Sequence, residues 1–467
     1  MKEDLKKSLV DSLKAPSEDI ARAIMSQSGM DPNSISKAIT TGTGLVAYDL
    51  QAPAKNLYPV YTPIRNQIPR VGGGSGTATN WRQVNAIIGS GFDAMGWVPE
   101  GQRAAQMSYN TSNKAASYVT LGEEEGVTFE AISAARDFEN LQATATMRLL
   151  QKMMLKEEMA ILFGNNSLAL GTPAGLTLTA PSGSSPVAST TTLSVYVAAL
   201  TGEGYANATK SGTLACASTK TITGADGQTF TLNGGTSKLS ANSTQSVTSS
   251  ESLVCVVTPV QGAVAYAWYV GTSGSETLQA ITTINSIVFT ATLSSGNQAA
   301  TALSTSTDYS TNSTGFDGLF TTAAKSGSNA YVQALANGTL GTGSALTASG
   351  RGSVNEIDLM METMWNNYQV SLDVIYVNAQ ELKNITTKVL SSTSGGSLLN
   401  YFHDPKAGEY ILTAGGAIEF YYNPFMAPGA GRKIPINIHP MVPPGTILGW
   451  ANNLPIQYQS NQVPNVA

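Results

Sequence analysis

Charge is scarce in this chain. Only 12% of its 467 residues are Asp, Glu, Lys or Arg, and the formal net charge is −5, so no strongly basic face for gripping nucleic acid is implied. Histidine is scarcer: His403 and His439 are the two present. His439 lies in an alternating segment beside Pro440, and His403 in a turn-like Phe-His-Asp-Pro. Neither has cysteine, histidine or carboxylate at ligand spacing, so a metal centre is not expected. The two cysteines, Cys216 and Cys255, are too few for a disulfide framework or a zinc site and read as buried thiols. HExxH, GxSxG and GxxxxGK are all missing, and no nucleophile–base pair can be assigned. Gly42 to Ala47 matches a degenerate dinucleotide pattern but neither follows a strand nor opens a helix. No apolar run is long enough to cross a membrane. The opening MKEDLKKSLVDSLK lacks a secretory core and reads as a short amphipathic helix. These absences point to a protein made and kept in a cytoplasm, with no catalytic centre and no cofactor.

What is present begins with the stretch from Phe138 to Asn166. It is rich in Ala, Leu, Met, Gln, Glu, Lys and Arg, all good helix formers. One apolar row runs Phe138, Leu141, Ala145, Leu149, Met153, and a second runs Met147, Leu150, Met154, Ile161. Together they predict a wide apolar stripe on a helix ending at Gly164-Asn165. From Phe138 to Phe163 that rod would measure roughly 39 Å. Arg148, Lys152 and Lys156 stand at successive i, i+4 positions. Like charges so placed cost a few tenths of a kcal/mol per pair in an isolated helix. Either the row is a solvated face with Glu157 and Glu158 nearby, or it receives acids from another element or subunit, with Glu123, Glu124 and Glu125 the first candidates.

Around this helix the chain divides by composition. Residues 1–71 read as an arm, with helical patterns over Leu5–Leu13 and Glu18–Met25 and then an extended stretch punctuated by Pro53, Pro59, Pro63 and Pro69. Leu57, Tyr58, Val60, Tyr61 and Ile64 need a surface, either on the same domain or on a neighbour. Gly72 to Gly76 form a hinge into a long hairpin, with strands expected over Thr77–Ile88 and Asn113–Leu121 and an exposed Trp97 toward its far end. From Leu178 to Asn312 there are three lysines, no arginine and five acids, while Ser and Thr abound. Alternating runs at Leu193, Thr229, Leu253, Ala265 and Ile287, with turns at Asp226-Gly227 and Asn233-Gly234, predict an antiparallel sandwich with Trp268 and Tyr266 or Tyr269 in its core. Beyond it, Ser353 to Glu356 reads as a capping box before a helix carrying Ile357, Met360, Met361, Met364 and Trp365. Leu372 to Val377 is a buried strand, a helix runs from Asn378 to Leu390, and strands follow at Ile418–Tyr422, Ile434–His439 and Thr446–Trp450.

Four segments carry a resemblance. They are WVPEGQ (97–102), EEMAILFGNN (157–166) with Gly175-Leu176 after it, LDVIYVNAQELKNI (372–385) and MVPPGTILGW (441–450). In that order, with the long helix between the first and third, they resemble the major capsid proteins of tailed bacteriophages, the Hong Kong 97-type capsid fold. The segment GAVAYAWYVG (262–271) resembles the third strand of fibronectin type III and related immunoglobulin-like modules. The resemblance implies an α+β capsid fold carrying an inserted all-β sandwich. Its expected parts are an N-terminal arm (1–71), an extended loop with its base (72–125) and a peripheral domain with the spine helix (126–177). The insertion (178–312), an axial domain (313–430) and strands returning to the peripheral domain (431–467) follow.

The implied function is self-assembly, as hexamers and pentamers of the chain, into an icosahedral head in the virion that encloses double-stranded DNA non-specifically. Scaffolding, portal and decoration proteins are the further partners; no membrane is involved. Trp97, Glu100, Arg103, Glu123, Glu124, Glu125, Arg148, Lys152 and Lys156 are the expected inter-subunit contacts. Some capsids of this fold crosslink through Lys–Asn bonds, and Lys114 lies in the loop, where an ordinary solvated lysine is the plainer reading. An encapsulin-type compartment and an extracellular adhesin are the rival classes.

Overall fold

The computed structural model describes residues 58–68, 70, 76–89, 95–136, 139–182, 187, 190–335, 338–348, 352–390, 401–403, 410–412, 418–425 and 433–452. The amino-terminal helices expected over Leu5–Leu13 and Glu18–Met25, the hinge at Gly72–Ser75, the Gly42 motif and Phe138 lie outside these residues. Contacts divide the chain into two units, Met1–Tyr58 with Phe129–Leu141, and Pro59–Thr128 with Gln142–Ala467. Within the first unit, α2 (Phe129–Ala134) is a short helix with no buried residue.

The second unit opens with α1 (Pro63–Gln67), a single turn in a stretch expected to be extended. Pro63 occupies the first turn, where proline's missing N–H costs nothing and its fixed φ favours the helix. Ile64 and Ile68 are buried in the chain's own core, so this part of the arm lies on its own unit. A hairpin follows, β1 (Ala78–Ile88) and β2 (Ser108–Ser117). The second strand begins earlier and ends sooner than the expected Asn113–Leu121. Its register is closed by Tyr118 donating to the Thr77 carbonyl at 2.9 Å, beyond which the chain leaves the ladder.

The long helix, α3 (Leu141–Phe163), has 23 residues and is about 34 Å long, shorter than the expected rod. Of its expected apolar stripe only Ile161 is buried; Leu141, Ala145, Leu149, Met153 and Met154 are half-buried. Only Glu158, Ile161, Leu162 and Phe163 are buried, and Met147 and Leu150 are more than half exposed. The helix is therefore seated by its last turn and a half.

Next comes the β-rich segment: β3 (Thr177–Thr179), β4 (Thr191–Leu200), α4 (Gly202–Asn207), β5 (Thr219–Thr223), β6 (Thr229–Asn233), β7 (Thr236–Leu239), β8 (Ser243–Val247), β9 (Leu253–Val256), β10 (Ala265–Gly271), β11 (Thr277–Thr282) and β12 (Ser286–Phe289). One sheet has the order β11-β10-β4-β7, with β8 also on β4; a second has β12-β9-β3. They face each other across Val195, Val197, Leu253, Cys255, Tyr266 and Trp268. Alternation sends Ala198, Leu200, Ala267 and Tyr269 to the opposite face, where Cys216, Leu278 and Leu303 cover them. Because the larger sheet is buried on both faces, β10 reads as an unbroken apolar run rather than an alternating one. Trp268 Nε1 donates to Thr282 Oγ1 at 2.8 Å and the Tyr269 hydroxyl to Gln298 Oε1 at 2.9 Å, so neither aromatic buries an unpaired donor. Both cysteines are free and buried, and burial pushes the Cys216 thiol up to about 12. Leu170 joins the first core, so the packing reaches back before the expected boundary at 178.

The segment enters and leaves through one neck. Asn312 N donates to the Asn165 carbonyl and Gly318 N to the Gly164 carbonyl, each at 2.7 Å. The buried Asn165 amide donates to the carbonyls of Leu168 (2.7 Å) and Ser310 (2.9 Å). A Cβ on Gly318 would stand 2.7 Å from the Ile161 carbonyl oxygen and 2.8 Å from that of Ala160, so glycine lets the returning chain lie against the helix end. Asp317 closes the neck by accepting from the backbone N–H groups of Asn166 (2.8 Å) and Ser167 (3.0 Å), from Ser167 Oγ (2.5 Å) and from Lys325 (2.9 Å).

The remaining elements are α5 (Leu319–Ala324), α6 (Asn355–Tyr368), β13 (Val374–Val377), α7 (Ala379–Leu390), β14 (Tyr401–His403), β15 (Tyr410–Leu412), β16 (Phe420–Tyr422), β17 (Lys433–Ile438) and β18 (Ile447–Trp450). The sheet order is β16-β17-β13-β18, with β13 and β17 parallel. Ile375 and Val377 of β13 join Ile357, Met361 and Ile385 in one core. Val374 and Tyr376 join Ile161, Leu162, Phe163 and Ile64 in the other. The expected capping box does not form. Val354 is the N-cap, with no side-chain cap bond, and Glu356 instead accepts from Thr347 N at 3.0 Å. His403, read as a turn residue, ends the strand β14.

Candidate assembly surfaces

The hairpin β1–β2 is the first surface. No residue of either strand is buried, and Met95 to Asn110 are all exposed. A register shift between Val84 and Ala86 marks a bulge at Asn85. In a regular strand Val84 and Ile87 would point to opposite faces, being an odd number apart. The extra residue reverses the later half, so Val84, Ile87 and the Ile87 partner Tyr109 share one face. All three are more than half exposed, and Trp97 is 91% exposed. A two-stranded hairpin with this many uncovered apolar side chains is marginal in water by itself.

The second surface is the outer part of α3. Of the three basic residues in the row, Lys156 forms an ion pair with Glu123 of the segment that follows the hairpin. This chain therefore does bring one base of the row to one acid of the triplet. Arg148 and Lys152 are exposed and have no ion-pair partner among the described residues. Glu100, Arg103, Glu124 and Glu125 are also exposed, and no described contact brings them together with Trp97 or the basic row.

Glu157 and Glu158 do not neutralise that row. Glu157 accepts from Arg65 Nε at 2.6 Å and pairs with Arg70. The fully buried Glu158 accepts from Ile64 N (Oε1, 3.1 Å), Arg65 N (Oε2, 2.6 Å) and His439 Nε2 (Oε1, 2.7 Å). Met441 N donates to His439 Nδ1 at 3.2 Å, which leaves Nε2 to donate to Glu158. Glu158 and His439 are 281 residues apart, and sequence spacing carries no trace of their meeting. The one local signal was an acidic pair placed on an otherwise apolar helix end.

Among the described residues no group of histidine, cysteine, aspartate or glutamate is arranged to hold a metal ion, and no helix is long and apolar enough to cross a membrane. No family model, curated protein or solved structure matches this chain.

Proposed function

We propose that this chain is the major capsid protein of a tailed bacteriophage, of the Hong Kong 97-type fold, whose work is self-assembly into a DNA-enclosing shell rather than catalysis. One observation carries the reading. The hairpin leaves Val84, Ile87, Trp97 and Tyr109 uncovered and α3 leaves Met147 and Leu150 uncovered, as expected of a subunit whose remaining packing comes from other copies. The low charge suits an inner face that encloses DNA without gripping it.

The β-rich segment is read as an immunoglobulin-like decoration of the outer surface. Its neighbour relations support this. The Trp-bearing β10 lies beside β4 and β11, and β9 in the facing sheet lies between β3 and β12, as the third and second strands of such sandwiches do. The chain order departs from that pattern, since β4, β7 and β8 precede β9.

Electron microscopy of the purified protein, expressed with the assembly factors it requires, tests the proposal. Closed shells able to hold DNA are expected. Shells loaded with cargo protein would favour an encapsulin-type compartment, and a monomer at every concentration would overturn both.

A further inference from the structure

Residues 59–68 contribute no strand to any sheet, and their one helix, α1, is too short to persist without tertiary support. Two features hold them down. Ile64 and Ile68 fill a seat in the core beneath α3. The hydrogen bonds from Ile64 N, Arg65 N and Arg65 Nε to the body all end on two consecutive residues, Glu157 and Glu158, and Tyr61 lies against the His439 ring. Thr62, the N-cap of α1, makes no side-chain cap bond. Glu158, far along the chain, performs that task by accepting from Ile64 N and Arg65 N, and His439 holds the carboxylate in place. The segment begins where the first contact unit ends, at Tyr58.

We infer that residues 59–68 are a detachable strap, with the Glu158 carboxylate as its latch. Anchors that converge on one half-turn of helix are lost together, so the strap opens as a unit. Opening breaks no sheet and exposes two isoleucines, so it costs less than global unfolding. Release would give the chain before Pro59 about 30 Å of additional reach. This inference is independent of the capsid reading.

Hydrogen–deuterium exchange by mass spectrometry on the purified full chain tests it, read at amides 64–68 against those of β10 and β13. In the wild type the strap amides are expected to exchange faster than both references, at a rate that low denaturant leaves unchanged. Glu158→Gln should accelerate them about tenfold or more, since it removes the charged acceptor, and leave β10 and β13 unaffected. Glu157→Gln, which spares the backbone ties, should accelerate them by a smaller factor, and it serves alone if Glu158→Gln does not fold. His439→Gln can still donate to the carboxylate and should fall between. Strap amides that exchange at the β13 rate, with the same denaturant dependence, would overturn the proposal. So would variants that accelerate strap and β13 equally.

Discussion

Trp97→Ser separates folding from assembly. The indole is 91% exposed, so the free subunit has almost no packing there to lose. Its unfolding free energy should change by no more than about 0.5 kcal/mol, as for other surface substitutions. In a shell the same ring would be covered. A tryptophan presents about 200 Å², which at about 25 cal/mol per Å² is an upper value of about 5 kcal/mol. Interface tryptophans commonly account for about 2–4 kcal/mol when truncated. At 1.4 kcal/mol per decade, the threshold concentration for assembly should rise about 30-fold or more. Thermal unfolding of the unassembled subunit gives the first quantity, and light scattering across a dilution series gives the second. An unchanged threshold would refute the assignment of Trp97 to an interface. A large loss of subunit stability would show that the ring is packed within the chain.

Lys156→Ala should cost the subunit less than about 1 kcal/mol because the Lys156–Glu123 pair is partly exposed, and the difference should shrink in high salt, read by denaturant titration. Asp317 titrates below the ordinary aspartate range. Burial works against its charge, but Ser167, Lys325 and two backbone N–H groups outweigh that effect. A depressed carboxyl contributes stability that is complete above the unfolded pKa and is lost as pH falls through the folded one. The loss should therefore start near pH 4 (about the ordinary aspartate value) and continue below it. Asp317→Asn should remove that part of the acid dependence in melting-temperature profiles, and an unchanged acid limb would count against the neck ties. Excision of the β-rich segment can start from the neck, where Asn165 and Asn312 already share a 2.7 Å hydrogen bond. Joining 165 to 312 through a short Gly/Ser linker should leave the β13 sheet folded and shells of ordinary diameter without surface knobs. Loss of the β13 protection in exchange experiments would show that the segment is part of the body's core.

The elements legible in the sequence are those whose signal is local. The helix from Leu141 to Phe163, the strand β13 with α7 after it, and β4, β9, β10 and β12 all follow from propensity, period and stop residues, and each lies where the pattern put it. The same rules misjudged Pro63, where a proline reads as a break but opens a helical turn. They also misjudged Ser353 to Glu356, where Thr347 took the glutamate that a capping box would use. Period could locate the apolar rows of α3 but not their burial, because that depends on what arrives opposite, and among the described residues only the last turn and a half is buried. The bulge that gathers Val84, Ile87 and Tyr109 depends on strand pairing, which no single strand encodes. The Glu158–His439 contact and the neck between Gly164 and Gly318 arise from chain closure across long separations. Local sequence determined the long helix and the strongly patterned strands. Tertiary packing alone decided which charges are buried, which partners satisfy them and which apolar faces remain uncovered.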